Sequence, residues 1–310
     1  MTARLAVTLG DPRGVGPEVT ARAAEKLLRQ DPRVELTFLG DPVGFDMPGA
    51  VEAPTAFSGS LESAGAISGG AIEAAVRGAL AGRFDAIVTA PIHKPALRAA
   101  GYTEPGHTEL LQRLTEAPDV GMLMAAETTA GGTPLRVLLA TTHHALRDVP
   151  DLLTADLLER QVRLLLRSLH REWGIERPSI GLCAFNPHAG DGGLFGDEEE
   201  RIYAPALAAL QADGLEVHGP VPADTVFSRA LRGEFDAVVA PYHDVGMAAF
   251  KTVSFGRGVN VTLGLPFPRT SPDHGTAFDL AGQGTADPGS MLEAMTLALR
   301  LAGNHRGSGL

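Results

Sequence analysis

The sequence has few cysteines, few aromatic residues and no long apolar run. Its 310 residues include one cysteine, Cys183, and aromatic residues make up 5% of the chain. A single cysteine excludes an internal disulfide framework. No apolar stretch approaches the roughly 18 residues that a membrane-spanning helix needs. The N-terminal residues lack the apolar segment of a secretory signal, so we expect a cytoplasmic protein that does not bind a membrane.

Positive charge is also scarce. Asp and Glu number 37 against 26 Lys and Arg, which gives a net charge of −11. Nucleic-acid binding depends on clustered basic residues that displace counterions, so nucleic acid is an unexpected partner. The 44% of hydrophobic residues, with 37 glycines and 22 prolines, is typical of an α/β protein with many tight loops. The chain is long enough for two lobes.

Short apolar segments alternate with segments of helical periodicity, a pattern that predicts a doubly wound, mostly parallel sheet. The predicted strands are 5–9, 34–39, 84–89, 120–126, 135–140, 180–185, 237–240 and 259–263. The predicted helices are 19–28, 67–80, 154–169, 198–212, 224–231 and 288–302, with another that begins at 106–109. The segment 41–70, rich in Pro, Gly, Ser and Ala, is predicted to be mostly loop.

Three histidines follow three of the predicted strands. His143, His188 and His243 each lie just past the carboxyl end of a strand, where ligands gather in sheets of this type. Three neutral imidazoles leave a divalent cation open positions for substrate, which is the catalytic pattern. We therefore predict a metal site where these side chains meet, at one mouth of the sheet or of a subunit pair. A metal there would favour hydride loss from an alcohol and then decarboxylation.

The glycine-rich segment 241–282 concentrates cations in an otherwise acidic chain. We expect this segment to form the floor of an active site that binds an anion. The N-terminus of the helix predicted to begin at 106–109 offers further anion ligands. Thr108 in this segment is an equally good candidate for the N-cap of that helix. The predicted set for a phosphate or carboxylate is His107, Thr108, Lys251 and Arg269, with Asn260 to orient the ligand.

Several motifs together resemble the 4-hydroxythreonine-4-phosphate dehydrogenase family of pyridoxal phosphate biosynthesis. They are GDPRGVGPE, TAPIHK with GHTELL, ATTH with LRD, NPHAGDGG with GDEE, GPVPADT, YHDVG, FGRGVNVTLGLPFPRTSPDHGTA and AGQGTAD. The match runs nearly end to end. The resemblance implies a two-lobed αβα sandwich like that of isocitrate and isopropylmalate dehydrogenases, with a mostly parallel sheet and the active site in the inter-lobe cleft. It also implies a homodimer whose subunits share each active site.

The resemblance further implies that the two lobes bind different ligands. Residues 1–104 with 256–310 would bind NAD, and residues 105–255 would carry the substrate, metal and dimerisation surfaces. The implied reaction is NAD-dependent (or NADP-dependent) oxidation of 4-phosphohydroxy-L-threonine at C3, followed by decarboxylation to 3-amino-2-oxopropyl phosphate. One divalent metal per site, Zn²⁺, Mg²⁺, Co²⁺ or Mn²⁺, would assist.

The family motifs assign roles to residues of this sequence. The metal ligands would be His143, His188 and His243, and the substrate contacts would be His107, Thr108, Lys251, Asn260 and Arg269. Asp224 is the candidate for proton transfer, and Lys251 is the alternative candidate. The adenosine-binding loop would comprise His274, Gly275, Thr276, Ala277, Asp279 and Gly282.

Two residues depart from the family pattern. Arg13 replaces a small residue in the GDPxGxGPE motif, and His144 stands where an apolar residue is common.

Related enzymes act on four-carbon phospho-sugar acids (threonate or erythronate 4-phosphate) or on aromatic cis-dihydrodiol acids, and both remain alternative substrates. The pair His243-Asp244 also suggests a metal-dependent phosphohydrolase. A ligand sensor without catalytic activity is a third possibility.

Overall fold

The computed structural model describes residues 3–129, 131–254 and 256–307. The strands are β1 Arg4–Thr8, β2 Glu35–Leu39, β3 Ala50–Glu52, β4 Ala86–Thr89, β5 Gly121–Ala126, β6 Leu135–Leu139, β7 Ile180–Cys183, β8 Val217–Val221, β9 Ala237–Ala240, β10 Val259–Leu263 and β11 Arg269–Pro272. The α-helices are α1 Gly16–Gln30, α2 Leu61–Leu80, α3 Lys94–Ala99, α4 His107–Thr115, α5 Val149–Leu152, α6 Ala155–Trp173, α7 Ala204–Ala212, α8 Ala223–Leu231, α9 His243–Ser254 and α10 Gly289–Gly307. The chain divides into two compact units.

The first unit comprises residues 1–120 and 259–310. Its strands lie in the order β3-β2-β1-β4-β11-β10. All neighbours are parallel except β10 and β11, which pair antiparallel. The central strands β1 and β4 are buried along nearly their whole length, as expected for strands covered by helices on both faces. Apolar side chains of α2 and α4 form a core on one such face.

The second unit comprises residues 121–258. Its strands lie in the order β5-β6-β9-β7-β8, with β5 and β6 antiparallel and the other neighbours parallel. Side chains of β6, β9, α8 and α9 form its core, with Phe250 of α9 fully buried. Helix α6 begins at a Thr154 cap, whose hydroxyl accepts a hydrogen bond from the Leu157 amide, and ends at Gly174 in a left-handed conformation. The predicted α/β class with a mostly parallel sheet is confirmed.

The segment 41–70 was predicted to be mostly loop, and this prediction was wrong for its second half. Helix α2 begins at Leu61, and β3 precedes it. The small residues that suggested a loop are there for packing: a Cβ atom on Gly65 would collide with the Ala96 carbonyl oxygen of α3, and one on Gly69 would collide with the Tyr102 ring. Close helix packing, which periodicity does not reveal, therefore explains this composition.

Helix α4 belongs to the first unit. The lobe boundary expected at residue 104 falls between α3 and α4, whereas the first unit continues to Val120. The physical reason is burial, because Leu110 and Leu111 of α4 are fully enclosed in the core beside α2. His107 and Thr108 therefore share a unit with Asn260 and Arg269. No helix in the described part of the chain has the length and apolar character to cross a membrane.

Glu172 is a buried acid near the end of α6. Its residue is 3% exposed, and the Arg171 guanidinium lies 3.6 Å from its carboxylate. Burial raises the pKa of Glu172 to about 7, although Arg171 acts in the opposite direction. Ionisation of the Glu172 carboxyl should therefore lower the free energy of unfolding.

We expect Glu172→Gln to stabilise the protein most at alkaline pH. The folded state keeps this proton up to about pH 7 because the pKa is raised. The unfolded chain releases it near its ordinary value, so the wild type loses stability as pH rises through this window. The gain in free energy of unfolding should be about 2 kcal/mol larger at about pH 8.5 than at about pH 5. Urea titrations at both pH values measure it.

Glu176→Gln is the matched control, because Glu176 is an exposed glutamate just beyond the same helix. Its effect on stability should be the same at both pH values. An equally pH-independent effect of Glu172→Gln would contradict the assignment of the titration to Glu172.

Candidate active site

Arg269 is the most buried basic side chain among the described residues of the first unit, at 1% exposure. It lies on β11 between β4 and β10, and both neighbours supply hydroxyls. Nη1 donates to Thr262 Oγ1 at 2.8 Å, Nη2 donates to Thr89 Oγ1, and buried Nε has no partner. No carboxylate pairs with Arg269 among the described residues. Burial lowers the pKa of Arg269 to about 9, so the guanidinium remains charged at neutral pH.

Two residues of the predicted anion-binding set also have a buried polar atom without a partner. Asn260 stands two residues from Thr262 on β10, so its side chain is on the same face of the sheet as Arg269, and its Oδ1 is unsatisfied. His107, the first residue of α4, has an unsatisfied Nε2. Burial, together with the charge of Arg269, lowers the pKa of His107 well below its ordinary value. A buried cation with unsatisfied polar groups near it is a suitable site for an anion.

Thr108 is not the cap of α4. The helix is capped by Gly106, and no side chain makes a capping hydrogen bond. The capping alternative considered for Thr108 is therefore wrong, and its hydroxyl lies in the first turn beside His107. Backbone N–H groups of a helix N-terminus favour negative charge, and His107 and Thr108 both stand in the first turn of α4.

The loop between β11 and α10 contains the six predicted cofactor residues. Glu18 of α1, 1% exposed, accepts hydrogen bonds from the Gly282 and Ala286 amides at 3.2 and 3.3 Å. The Thr276 carbonyl accepts from the Val15 amide at 2.9 Å. His274 has a buried Nε2 without a partner. The loop is thus held to the β1–α1 turn and α1 through backbone groups, with one imidazole nitrogen available for a ligand.

Residues Gly275 and Asp279 are exposed within this loop, and Ala277 has a positive φ of 41°. A left-handed alanine is strained, and such strain persists where surrounding contacts hold it. The contacts are close here: a Cβ atom on Gly14 would come within 2.7 Å of the Thr276 carbonyl oxygen. The GDPRGVGPE motif therefore requires glycine at position 14 so that this loop can pack.

In the second unit, two of the three predicted metal ligands are neighbours. Strands β6 and β9 are adjacent and parallel, and the Thr141 hydroxyl donates to the Pro241 carbonyl at 2.7 Å beyond their carboxyl ends. The ring centroids of His143 and His243 are 5.4 Å apart. Asp244 Oδ1 lies 2.7 Å from His243 Nδ1. A carboxylate at Nδ1 favours the tautomer whose Nε2 lone pair is available to a cation.

His188 lies in a strained loop after β7. Residues 188–192 all have left-handed φ values, between 43° and 79°, although three of them are not glycine. Glu199 holds the start of this loop by accepting from the Phe185 and Asn186 amides at 2.9 and 2.7 Å. Among the described residues of one chain, no group of three or more His, Cys, Asp or Glu side chains is arranged to hold a metal ion. The structure therefore brings together His143 and His243 but not a complete ligand set.

The two candidates for proton transfer lie on different helices of the second unit. Asp224 is exposed in the first turn of α8, whose N-cap is Pro222. Lys251 is exposed in the last turn of α9, the helix that begins with His243. Helix α9 was not predicted, because its apolar residues are separated by glycine and alanine in a segment that appeared glycine-rich.

Several supporting residues were not among the predicted site residues. Thr89 and Thr262 hold Arg269 from neighbouring strands, and Asp244 and Glu199 fix the histidine segments. Two of them had a sequence signal: Asp244 directly follows His243, and the period-two spacing of Thr262 from Asn260 places both on one face of β10. Thr89 and Glu199 are brought to these sites by the fold, Thr89 through the pairing of β4 with β11.

Comparison with known proteins was consistent with this arrangement. The model of the family "Pyridoxal phosphate biosynthetic protein PdxA" matches residues 41–298. The 4-hydroxythreonine-4-phosphate dehydrogenase of Burkholderia vietnamiensis is 44% identical over 325 residues, 98% of each chain. The crystal structure of the 4-hydroxythreonine-4-phosphate dehydrogenase from Klebsiella pneumoniae is similar with a TM-score of 0.85 and 39% identity, and covers 97% of this chain and 98% of that chain.

A more distant structure supports the fold alone. Isocitrate dehydrogenase from Methylococcus capsulatus is 15% identical, with a TM-score of 0.57 over 99% of this chain and 88% of that chain. The predicted isocitrate dehydrogenase-like fold and the predicted family are both confirmed. Because the family model covers most of the sequence and close relatives match it over nearly their whole length, this chain belongs to the pyridoxal phosphate biosynthetic protein PdxA family.

Proposed function

We propose that this protein oxidises 4-phosphohydroxy-L-threonine at C3 with NAD and a divalent metal, and that decarboxylation then gives 3-amino-2-oxopropyl phosphate. The substrate is inferred from the relatives, which are 4-hydroxythreonine-4-phosphate dehydrogenases. The observation that carries the proposal is the buried Arg269, which has hydroxyl partners but no carboxylate among the described residues. An anionic substrate group would supply the missing negative charge.

The first unit would bind the substrate phosphate. Arg269 would donate through its fork, and neutral His107 would donate one hydrogen bond without adding a second buried charge. Thr108 and the N-terminus of α4 would contribute further donors. Asn260 would orient the substrate, and Lys251 of the second unit is assigned to the same ligand. Fixing the remote phosphate in this way holds the C3 hydroxyl in a constant position.

The loop His274–Gly282 would hold the dinucleotide. His274 has a buried Nε2 without a partner, which suits a heterocyclic or ribose ligand. Exposed Asp279 and Gly275 and the strained Ala277 belong to the same segment. NAD, or NADP in the alternative, supplies a hydride acceptor when bound.

The histidines of the second unit would hold the metal. His143 and His243 fit a borderline cation such as Zn²⁺, and Co²⁺, Mn²⁺ and Mg²⁺ are the other candidates. A bound divalent ion would stabilise negative charge on the reacting oxygen. His188 would complete a set within a homodimer, and the exposed Leu194 and Phe195 beside it provide apolar surface for a second copy. Asp244 would keep His243 in the ligating tautomer.

Proton transfer is assigned to Asp224, with Lys251 as its rival. Both side chains are exposed in the isolated chain. A carboxylate can accept the proton of the substrate hydroxyl, and an ammonium can return one to the enol left by decarboxylation. We place the reaction in the cytoplasm, in keeping with a single free, buried cysteine.

We expect reduced nicotinamide to appear when the protein is mixed with 4-phosphohydroxy-L-threonine, NAD and a divalent metal. The same substrate without its phosphate should be turned over at least about 100-fold less efficiently, because the buried cation then has no partner. Absorbance of the reduced cofactor measures both reactions. Preferential oxidation of threonate 4-phosphate, erythronate 4-phosphate or an aromatic cis-dihydrodiol acid would contradict the assigned substrate. Inorganic phosphate without cofactor reduction would favour the phosphohydrolase.

Arg269→Lys tests the anion site while keeping a positive charge. Lysine cannot reproduce the fork, so KM for the phosphorylated substrate should rise about 10-fold to 100-fold. The Kd for NAD, measured by calorimetry, should change less than about threefold. Arg300→Lys, at an exposed arginine of α10, is the control and should leave both constants unchanged. Equal weakening of both ligands in a folded Arg269→Lys variant would contradict the assignment.

His188→Ala should abolish metal retention and turnover while the dimer stays folded. His144→Ala is the matched control, because His144 is an exposed histidine adjacent in sequence to His143. Metal content after dialysis, by atomic absorption, separates the two variants, and size-exclusion chromatography reports the dimer. Wild-type metal affinity should decrease as the pH is lowered, because imidazoles must be neutral to ligate. Retained metal in folded His188→Ala would remove this residue from the ligand set.

A further inference from the structure

Arg13 occupies the turn between β1 and α1 and is fixed there by a buried acid. Asp11 is fully buried, and its carboxylate accepts from Arg13 Nε at 2.9 Å and from Nη2 at 2.6 Å. The Arg13 backbone amide also donates to Asp11 Oδ1 at 2.9 Å. This paired geometry fixes the plane of the guanidinium, since a bidentate carboxylate removes most of its rotational freedom.

The fixed guanidinium contacts two aromatic side chains from other segments. Its carbon lies 5.2 Å from the ring centroid of Phe278, which is within cation–π range. Nη2 also donates to His93 Nδ1 at 3.1 Å, and the His93 ring meets Phe278 edge-on with centroids 5.1 Å apart. One arginine therefore connects the turn after β1, the segment after β4 and the loop before α10.

Phe278 is the only Phe, Tyr or Trp in the loop 273–288, and it is 42% exposed. It follows Ala277, whose left-handed backbone is strained, and precedes exposed Asp279. The described backbone anchors of this loop act on either side of it, at Thr276 and at Gly282 and Ala286. Without its side-chain contacts, the segment 277–281 would depend on these flanking anchors and on its internal hydrogen bond from the Leu280 amide to the Ala277 carbonyl.

We propose that Arg13 is a positioning residue that, through Phe278, fixes the loop 274–282 in the conformation that receives the dinucleotide. The inference rests on the proposed function, because it takes that loop to be the cofactor site. Arg13 acts on the affinity for the cofactor and not on the chemical step. A loop ordered before binding loses less conformational entropy when the ligand arrives, so affinity rises.

The test compares Arg13→Ala, Phe278→Leu, the double variant and Phe278→Tyr in the full-length protein. Calorimetric Kd values for NAD should rise about fivefold in either single variant, the order expected for a partly exposed cation–π contact. The double variant should bind NAD no more weakly than either single variant, because both substitutions remove the same contact between Arg13 and Phe278. Phe278→Tyr keeps an aromatic ring and should bind NAD like the wild type. KM for the substrate and kcat at saturating NAD should change less than about twofold.

Hydrogen exchange without ligand provides a second readout. Amides of 276–282 should exchange faster in Arg13→Ala than in the wild type, with those of α10 unchanged. Arg29→Ala, at an exposed arginine of α1 paired with Glu25, is the control for both readouts. Additive losses in the double variant, an unchanged Kd for NAD or a fall in kcat alone would overturn the role of Arg13. Failure of the wild type to bind or reduce NAD would instead refute the proposed cofactor, and this inference with it.

Discussion

Arg269 carries a positive charge into the interior of the first unit, and the arrangement around it follows from that charge. Removing a guanidinium from water costs several kcal/mol unless polar groups and an opposite charge replace the lost solvent. Thr89 and Thr262 replace part of the solvation, but hydroxyls do not neutralise the charge. The charge of Arg269 is thus left without an opposite charge among the described residues. Burial, together with the charge of Arg269, also lowers the pKa of His107 beside it.

In the second unit, strand pairing brings two candidate metal ligands together. Because β6 and β9 are adjacent and parallel, the residues that follow them meet at one edge, and His143 and His243 become neighbours. The segment after β7 instead enters a left-handed run that carries His188. Strain of this kind, held by Glu199, is usual at functional sites. The described residues of one chain therefore bring together two of the three predicted imidazoles.

Buried carboxylates hold the loop that precedes α10. Glu18 of α1 accepts hydrogen bonds from backbone amides of the loop. Asp11 acts indirectly, because it orients Arg13 against Phe278. The loop has no helix or strand of its own, so its shape depends on these side chains. Both acids belong to the GDPRGVGPE motif. In this chain, therefore, the motif supports the neighbouring loop as well as forming a turn.

The sequence alone determined the α/β class, most of the strands and helices, and the family, because apolar periodicity and short motifs are local properties. It also indicated His107, Asn260 and Arg269 as residues of interest, since glycine-rich segments with isolated cations are unusual in an acidic chain. It did not indicate that Arg269 is buried between two threonines, that α2 begins at Leu61, or that His143 and His243 meet while His188 lies in a strained loop. Those features depend on which strands pair and which helices pack, and such contacts join residues too far apart in sequence for any local pattern to record.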